Sequence, residues 1–352
     1  MIITKTPFRM SFFGGGTDYP AFYREHGGAV LSTTFDKYIY VIVRHLPPFF
    51  DYENQITYGK IERTRSVSEI EHPAVRNAMQ YLGLSKLRVV YESDLPARSG
   101  LGSSSAFAVG MLNAFHALQG SYAGPKRLAD EAIYVERELC AEDGGVQDQI
   151  AVAFGGFNRI DFSASGYTVT PLIISGNRRD ELCSNLMLFF TGFARLSSEI
   201  ARHQSAAIKD KQQSLLKMKE LVDTAQDILT DSSRSLDDFG RLLDHTWRLK
   251  RGLTSAISTS DIDGIYERAI KAGALGGKLL GAGGGGFLVL YVPVPQQSLV
   301  REALSNLLYV PFKFEEEGSR VLYYRDEETS PLSISRPLSD PGTEITAILH
   351  RS

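Results

Sequence analysis

Apolar and polar positions along the chain follow two different periods, which together predict a mixture of strands and helices. Short runs rich in β-branched and aromatic residues indicate strands, whereas longer stretches with a helical period indicate helices. The predicted strands cover residues 37–44, 87–91, 154–162, 187–191 and 287–292. The predicted helices cover residues 104–118, 126–142, 197–229, 236–258, 262–272 and 296–307. Two short strands are expected after the last helix.

The long helices are concentrated after about residue 195, and this change of pattern predicts two domains. We expect an N-terminal domain over residues 1–185 and a C-terminal domain over residues 186–326. Residues 327–352 are rich in serine and proline, so we expect them to form a tail.

The helix predicted over residues 126–142 carries the most informative acidic residue. At 100° per residue, Glu136 lies near the centre of an apolar face that also includes Leu139 and Cys140. A carboxylate on a buried face requires a partner, which is either a basic side chain or a metal ion. A salt bridge is the commoner solution. Beside a phosphate-binding loop Mg²⁺ becomes the better candidate, because one or two protein oxygens plus substrate phosphates are enough to hold it.

Composition and charge exclude several classes of protein. The 352 residues include 38 Lys and Arg against 41 Asp and Glu, so we expect no general affinity for nucleic acid. Neither Cys140 nor Cys183 lies in a CxxC pair, which excludes a zinc ribbon, and both are expected to be reduced. The apolar runs are strand-sized, and the first residues lack the pattern of a signal peptide. We therefore expect a soluble, cytoplasmic protein that does not enter a membrane.

Glycine is the one enriched residue, at 32 positions or about 9% of the chain against a usual ~7%. Three glycines stand in a row at Gly14–Gly16, and eight lie between Gly273 and Gly286. Glycine-rich loops let the backbone approach a ligand closely. The first cluster is flanked by Arg9 and Asp18, and it is equally consistent with a flexible turn between a strand and a helix.

The second cluster, Pro96–Ala106, leads directly into an apolar helix. Its glycines expose backbone N–H groups, its serines can cap the helix, and the helix start carries partial positive charge. These features together are the physical requirements for holding phosphate. A well-capped helix would explain part of the pattern, but three serines exceed what a cap needs.

The third cluster contains a GxGxxG pattern at Gly281, Gly283 and Gly286. A dinucleotide-binding fingerprint requires a strand before these glycines and a helix after them, and here the predicted order is reversed. The chain also lacks a P-loop and the motifs of protein kinases. A glycine-lined wall that packs near another ligand-binding loop remains the hypothesis for this cluster.

Asp148 lies at the start of another apolar stretch, between Gln147 and Gln149. One interpretation is an acid favoured by the dipole at a helix start. The other is a general base or orienting carboxylate for a hydroxyl nucleophile. The residues alone do not separate the two.

In this order and at these separations, the three clusters resemble the motifs of the GHMP small-molecule kinases, a superfamily that includes galactokinase and mevalonate kinase. The similarity extends from Thr4 to about Arg325. It implies a two-domain α+β fold, with an N-terminal domain like the second domain of ribosomal protein S5 and a ferredoxin-like C-terminal domain with added helices. It also implies an ATP-dependent kinase that uses Mg²⁺, acts on a small molecule and is compatible with a homodimer.

The resemblance implies a role for individual residues. Asp148 matches the catalytic aspartate, and Arg9 matches the basic residue that pairs with it and with the transferring phosphate. Glu136 and Ser104 match Mg²⁺ ligands, and Asp18 matches the acid that holds sugar hydroxyls. The residues expected to bind ATP are Pro96, Ser99, Gly100, Leu101, Gly102, Ser103, Ser104 and Ser105. The residues expected around the acceptor are Gly14, Gly15, Gly16, Thr17, Asp18, Gly283 and Gly284.

Within the superfamily, the motifs at residues 14–18, 31–40, 145–149 and 155–158 look most like those of the D-glycero-D-manno-heptose 7-phosphate kinases. Those enzymes phosphorylate the anomeric hydroxyl on the way to nucleotide-activated heptose. Galactokinases carry Glu-His where this chain has Gly15-Gly16, and the change opens room for a different or larger sugar. A sugar phosphate needs a second anion site, for which Arg195 at a predicted helix start is the candidate. Pairing of Arg195 with a surface acid explains that position equally well.

Two classes of alternative function remain. One is a GHMP kinase for another acceptor, such as a fucose-like or galactose-like sugar or mevalonate. The other is a non-catalytic sensor that binds sugar and ATP, against which the joint presence of Arg9, Glu136 and Asp148 argues.

Overall fold

The computed structural model describes residues 1–97, 99–192, 211–254 and 256–325. The predicted anion site at Arg195 and the predicted tail over 327–352 lie outside these residues. Within the described part of the chain, none of the helices combines the length and the apolar character that a membrane span requires.

Strands and helices are mixed along the chain. The strands are β1 (Ile2–Phe13), β2 (Gly28–His45), β3 (Asn54–Thr57), β4 (Ile61–Thr64), β5 (Leu87–Ser93), β6 (Phe157–Ser163), β7 (Gly166–Pro171), β8 (Leu186–Phe190), β9 (Gly276–Leu279), β10 (Phe287–Tyr291), β11 (Leu308–Tyr309), β12 (Phe314–Glu315) and β13 (Arg320–Tyr324). The α-helices are α1 (Pro20–His26), α2 (Pro73–Tyr81), α3 (Ser103–Leu118), α4 (Pro125–Tyr134), α5 (Gln147–Phe154), α6 (Gly176–Ser184), α7 (Gln212–Thr230), α8 (Asp237–Arg251), α9 (Ser260–Lys271) and α10 (Gln297–Ala303).

The strands form two sheets. The first sheet has nine strands, in the order β13-β1-β2-β5-β3-β4, with β6 and β12 also paired to β2 and β7 paired to β6. The second has four antiparallel strands in the order β11-β8-β10-β9. The expected domain limit falls just before β8, the first strand of the second sheet. The end of the expected C-terminal domain joins the first sheet, because β12 pairs with β2 and β13 pairs with β1.

Helix α3 is buried on nearly every side, as its apolar sequence predicts. It packs against β1 and β2 on one side and against α4 and α5 on the other. A glycine allows the close contact with β1, because a Cβ at Gly110 would lie 2.7 Å from Thr6 Oγ1. Thr4 Oγ1 also donates a 2.9 Å hydrogen bond to the Gly110 carbonyl. This packing fixes where the first turn of α3 begins.

The helix predicted over residues 126–142 ends earlier and changes type. Helix α4 ends at Tyr134, and Val135–Leu139 form a π-helix. A π-helix bonds residue i to residue i+5, so a period of 100° per residue no longer holds beyond α4. Glu136 is buried as predicted, but Leu139, which was expected on the same apolar face, is 36% exposed.

Glycines explain two further differences from the sequence-based expectation. The strand predicted from residue 154 starts at Phe157, because Gly155 and Gly156 adopt φ values of +69° and +82° after helix α5. Strand β9 lies inside the third glycine cluster, where a low strand propensity gave no signal. It is a strand because it pairs with β10, which is apolar and fully buried.

Helix α8 lies directly on strand β9 because both elements have a glycine at their contact. A Cβ at Gly276 would lie 2.0 Å from the Gly240 carbonyl oxygen. A Cβ at Gly240 would lie 2.5 Å from the ring of Tyr291. The same helix carries Lys250 near its C-terminal end, so this contact also helps to position a charged side chain discussed below.

We expect Gly276→Ala to lower the free energy of unfolding by roughly 1–3 kcal/mol, because the new methyl group would overpack the contact between α8 and β9. Gly264→Ala is the matched control, since no atom lies within 4 Å of a Cβ built at that helical position. That control should raise the stability by roughly 0.5–1 kcal/mol, since alanine is favoured over glycine inside a helix. Urea unfolding of both variants provides the measurement, and equal effects would contradict the proposed contact.

Candidate active site

All three glycine clusters meet at one open cleft. Including its mouth, the cleft encloses about 1090 Å³. Its floor and walls include Gly15 and Gly16 from the first cluster, and Gly281 from the third. The loop before helix α3 supplies Gly100 and Gly102, and the first turn of the helix supplies Ser103, Ser104 and Ser105. The charged residues that line the cleft are Arg9, Asp18, Glu136, Arg137, Glu142, Asp143, Asp148, Lys250 and Lys278.

The second and third clusters contact each other through backbone atoms. A Cβ at Gly100 would lie 2.3 Å from the Leu280 carbonyl oxygen, and a Cβ at Gly281 would lie 2.4 Å from Gly100 Cα. A Cβ at Gly286 would lie 2.3 Å from the Ser99 carbonyl oxygen. The third cluster therefore braces the loop that leads into helix α3, as the sequence analysis hypothesised for a glycine-lined wall.

The residues predicted to bind ATP divide into two groups. Gly100, Gly102 and the serines at 103–105 line the cleft, whereas Pro96, Ser99 and Leu101 shape the loop behind it. Ser99 Oγ donates a 2.7 Å hydrogen bond to the Pro96 carbonyl, and the buried Leu101 accepts from the backbone N–H of Arg9 through its carbonyl at 3.2 Å. This loop is thus tied both to itself and to strand β1.

Arg9 and Asp148 form a bidentate ion pair at the cleft. Arg9 Nε donates to Asp148 Oδ1 and Arg9 Nη2 donates to Asp148 Oδ2, each at 2.7 Å. Arg9 Nη1 donates to the Gly100 carbonyl at 2.8 Å. A Cβ at Gly102 would lie 3.3 Å from Asp148 Oδ2, so the pair lies directly beside the start of α3. Two parallel bonds from a guanidinium hold a carboxylate in one orientation.

Asp18 is buried beside Gly15 and Gly16 in the wall of the cleft. Its Oδ1 accepts from the Gly16 N–H at 2.9 Å, and its Oδ2 accepts from the Gln147 N–H at 3.3 Å. A Cβ at Gly145 would lie 1.8 Å from Asp18 Oδ2, so the backbone closes tightly over this carboxyl. Burial raises the pKa of Asp18 above its usual range, although the Gly16 N–H opposes the shift.

The other residues of the first cluster have different surroundings. Gly15 could accept a Cβ without a clash, because the nearest atom to a Cβ there would be Gln147 Nε2 at 3.7 Å. Gly14 and Thr17 instead hold the turn together. A Cβ at Gly14 would lie 1.9 Å from the Ala29 carbonyl oxygen, and Thr17 Oγ1 donates to the Gly14 carbonyl at 2.8 Å.

Glu136 is a buried carboxylate whose hydrogen-bond partners are neutral. Ser105 Oγ donates to its Oε2 at 2.9 Å, and Gln149 Nε2 donates to the same atom at 2.5 Å. Burial, reinforced by the charge of Glu142, raises the pKa of Glu136 to about 7. None of the described basic residues forms an ion pair with it, so the salt-bridge alternative is not realised within the described part of the chain.

The surroundings of Glu136 fit a divalent cation. The exposed Ser104 hydroxyl lines the same cleft and interacts with the Glu136 carboxylate. Hydroxyl and carboxylate oxygens are the ligand types that Mg²⁺ takes. Among the described residues, no group of three or more His, Cys, Asp or Glu could hold a metal by itself. An ion here would need further oxygens, and the phosphates of a nucleotide could supply them.

Gly283 and Gly284 lie against the backbone of Ile257. A Cβ at Gly283 would lie 2.7 Å from the Ile257 carbonyl oxygen, and the Gly284 N–H donates to that oxygen at 2.9 Å. The residues of this loop that line the cleft are Gly281 and Ala282. The expectation that Gly283 and Gly284 bind the acceptor stays a prediction.

Two buried lysines line the cleft that the sequence did not predict as site residues. Lys278 Nζ donates to the carbonyls of Ser11 and Phe12 at 2.8 and 3.0 Å, and Lys250 Nζ donates to the Gly281 carbonyl. Burial lowers the pKa of Lys250 to about 8 and lowers that of Lys278 well below its usual range. A basic residue in the middle of an apolar or glycine-rich run was the available signal for Lys278.

Comparisons with known proteins show similarity along most of the chain. The family model for the GHMP kinases N terminal domain matches residues 69–156, and the model for the GHMP kinases C terminal matches residues 220–309. The chain is 31% identical over 344 residues to D-glycero-alpha-D-manno-heptose 7-phosphate kinase from Campylobacter jejuni, which covers 90% of this chain and 97% of that protein.

Two further relatives extend the similarity. The chain is 26% identical over 353 residues to galactokinase from Pyrococcus furiosus, covering 89% of this chain and 95% of that protein. The crystal structure of a D-glycero-D-manno-heptose 1-phosphate kinase from Bacteroides thetaiotaomicron superposes with a TM-score of 0.68 at 25% identity, covering 93% of this chain and 100% of the other. This chain has the two-domain GHMP fold and belongs to the GHMP kinase family, as a sugar kinase that uses ATP.

Proposed function

We propose that the protein transfers the γ-phosphoryl group of ATP to the anomeric hydroxyl of D-glycero-D-manno-heptose 7-phosphate, giving the 1,7-bisphosphate. The observation that carries the proposal is the Arg9–Asp148 pair, which lies between the start of α3 and the buried Asp18. Similarity to the Campylobacter jejuni heptose 7-phosphate kinase supports the choice of acceptor.

The start of helix α3 is suited to hold the phosphates of ATP. Gly102 precedes its first turn with a φ of +76°, and Ser103, Ser104 and Ser105 follow at the cleft. The first N–H groups of a helix lack intrahelical acceptors and carry partial positive charge, so they favour a phosphate. The third cluster braces this loop through close backbone contacts.

Ser104 and Glu136 would hold Mg²⁺ together with the nucleotide. When bound, this ion neutralises charge on the phosphate oxygens during phosphoryl transfer. Ser105 and Gln149 keep Glu136 oriented through their hydrogen bonds to its Oε2. Their role is therefore to position a metal ligand.

Asp148 would orient the acceptor hydroxyl and accept its proton. Because Arg9 donates to both carboxylate oxygens, Asp148 is held rigidly while its side chain remains 26% exposed to the cleft. Arg9 would offset the charge that develops on the transferring phosphoryl group. Phosphoryl transfer depends mainly on positioning and electrostatic stabilisation, so this small set is chemically sufficient.

The acceptor side of the cleft supports a large sugar. Gly15 and Gly16 line it without side chains, and Tyr19 lines it next to them. Asp18 lies beneath these residues, where its carboxyl could hold sugar hydroxyls. The phosphate of a sugar phosphate is expected to bind at Arg195.

The acceptor is tested by ADP release with a panel of sugars. We expect the highest kcat/KM with D-glycero-D-manno-heptose 7-phosphate, and lower values with unphosphorylated heptose, fucose, galactose and mevalonate. ³¹P NMR of the product should show a new anomeric phosphate. A higher kcat/KM with one of the other acceptors would overturn the heptose assignment, and no ADP release with any of them would revive the sensor hypothesis.

We expect Asp148→Asn to lower kcat by at least roughly 100-fold, because a positioned proton acceptor contributes about 10²–10⁴-fold to a rate. The thermal stability should fall, because the buried Arg9 loses its counter-ion, but the variant should stay folded and its affinity for a non-hydrolysable ATP analogue should change little. Asp161→Asn is the matched control, because Asp161 forms a surface ion pair with Arg159 in β6. Turnover of Asp148→Asn within about threefold of the wild type would remove Asp148 from the mechanism.

Glu136 should make the metal-free protein less stable as the pH rises. Its pKa is about 7 in the folded chain against an ordinary 4.5, so the folded state binds more protons than the unfolded state between these values. In the presence of a chelator, we expect this residue to cost roughly 2–3 kcal/mol of stability between about pH 5 and pH 8. Glu136→Gln should lose that part of the pH dependence.

Glu138→Gln is the control for this experiment, since Glu138 is exposed in the same π-helix. Its unfolding should follow the wild-type pH dependence. Identical pH dependence for Glu136→Gln and the wild type would contradict a buried, cation-free carboxylate at Glu136.

A further inference from the structure

Lys250 is a buried cation in the cleft that forms no ion pair with a described acid, although Asp18 and Asp148 act on it electrostatically. It is only 4% exposed, and its Nζ donates to one neutral acceptor, the Gly281 carbonyl. None of the described acids lies within ion-pair distance of it. An ammonium has three donors, so two of them have no acceptor among the described residues. A buried charge without a counter-ion is costly, and a ligand that brings negative charge would offset that cost.

We propose that Lys250 binds a phosphate oxyanion of a substrate in the cleft. The side chain projects from helix α8 and lines the space shared by Arg9, Asp148 and Asp18. The anion has two sources, namely the γ-phosphoryl group of ATP and the phosphate of a sugar phosphate acceptor. The second source rests on the proposed function, whereas the first requires only that the chain is an ATP-dependent kinase.

Lys278, the other buried lysine of the cleft, has a structural role. Its Nζ donates to the carbonyls of Ser11 and Phe12, so it ties strand β9 to the end of strand β1. Lys250 makes one such contact, with the third cluster, and the rest of its ammonium is available to a ligand. Burial and the neighbouring Arg9 lower the pKa of Lys250, while Asp18 and Asp148 oppose that shift. An anionic ligand at the ammonium would oppose it further.

The test compares Lys250→Met, which removes the charge at similar volume, with Lys250→Arg, which keeps it. Arg248→Met is the matched control, because Arg248 is an exposed cation two residues earlier on the same helix. For each variant we would measure ATP hydrolysis without acceptor, and kcat and KM with heptose 7-phosphate and with unphosphorylated heptose. Thermal unfolding would establish that each variant is folded.

We expect Lys250→Met to lose roughly 10- to 100-fold in one of these parameters, which is the size of a hydrogen bond to a charged group. Loss of kcat with both acceptors and in ATP hydrolysis would identify the γ-phosphoryl group as the anion. A raised KM for the phosphorylated acceptor alone would identify the acceptor phosphate. Lys250→Arg should recover at least part of the loss, and Arg248→Met should resemble the wild type.

Two results would overturn the proposal. One is wild-type kinetics for a folded Lys250→Met. The other is an equal loss in Lys250→Met and Lys250→Arg that follows the loss of thermal stability, because this would make Lys250 a packing residue. If heptose 7-phosphate proves not to be a substrate, two measurements still test whether Lys250 binds the γ-phosphoryl group of ATP. They are ATP hydrolysis without acceptor and turnover of the best acceptor in the panel. Failure of the acceptor assignment is thus distinguishable from failure at Lys250.

Discussion

The backbone contact between Gly100 and Gly281 is the constraint on which the active-site cleft depends. Any side chain at either position would overlap main-chain atoms of the other loop. The carbonyls of these two glycines also accept from two of the cations that line the cleft, Gly100 from Arg9 and Gly281 from Lys250. One close approach therefore fixes the loop before helix α3, the guanidinium that orients Asp148, and the ammonium of helix α8.

The properties of the charged groups in this cleft depend on their burial and not on the net charge of the protein. The whole chain is nearly neutral, yet Glu136, Asp18 and Lys250 are all buried within one cleft with shifted pKa values. Groups of this kind are costly in an empty protein, and they cluster where ligands bring compensating charge. A nucleotide, a divalent ion and a sugar would together supply charges and hydroxyl groups that fit these three side chains.

Local sequence patterns predicted the parts of the molecule that depend on local physics. The apolar helix α3, the strand signals around it and the burial of Glu136 all follow from periodicity within a single segment. The π-helix after α4 did not, because its extra residue per turn moves Leu139 away from the face that a regular helix would give it. Strand β9 was missed for a related reason, since its pairing with β10 overrides the low strand propensity of glycine.

The site itself needed contacts between distant segments. The resemblance to the GHMP kinases brought Arg9, Glu136 and Asp148 together before any coordinates, and the structure places all three at the cleft. Lys250 had no such signal, because its sequence neighbours resemble those of any basic residue at a helix end. Its burial arises from the way α8 packs on β9, through Gly240 and Gly276, which cannot be read from either segment alone.

A crystal structure of the protein with a non-hydrolysable ATP analogue, Mg²⁺ and D-glycero-D-manno-heptose 7-phosphate would test the central claim most directly. The account predicts that the phosphates lie at the start of helix α3 and that the anomeric hydroxyl is within hydrogen-bond distance of Asp148. A nucleotide bound elsewhere, or an acceptor whose anomeric hydroxyl faces away from Asp148, would contradict it.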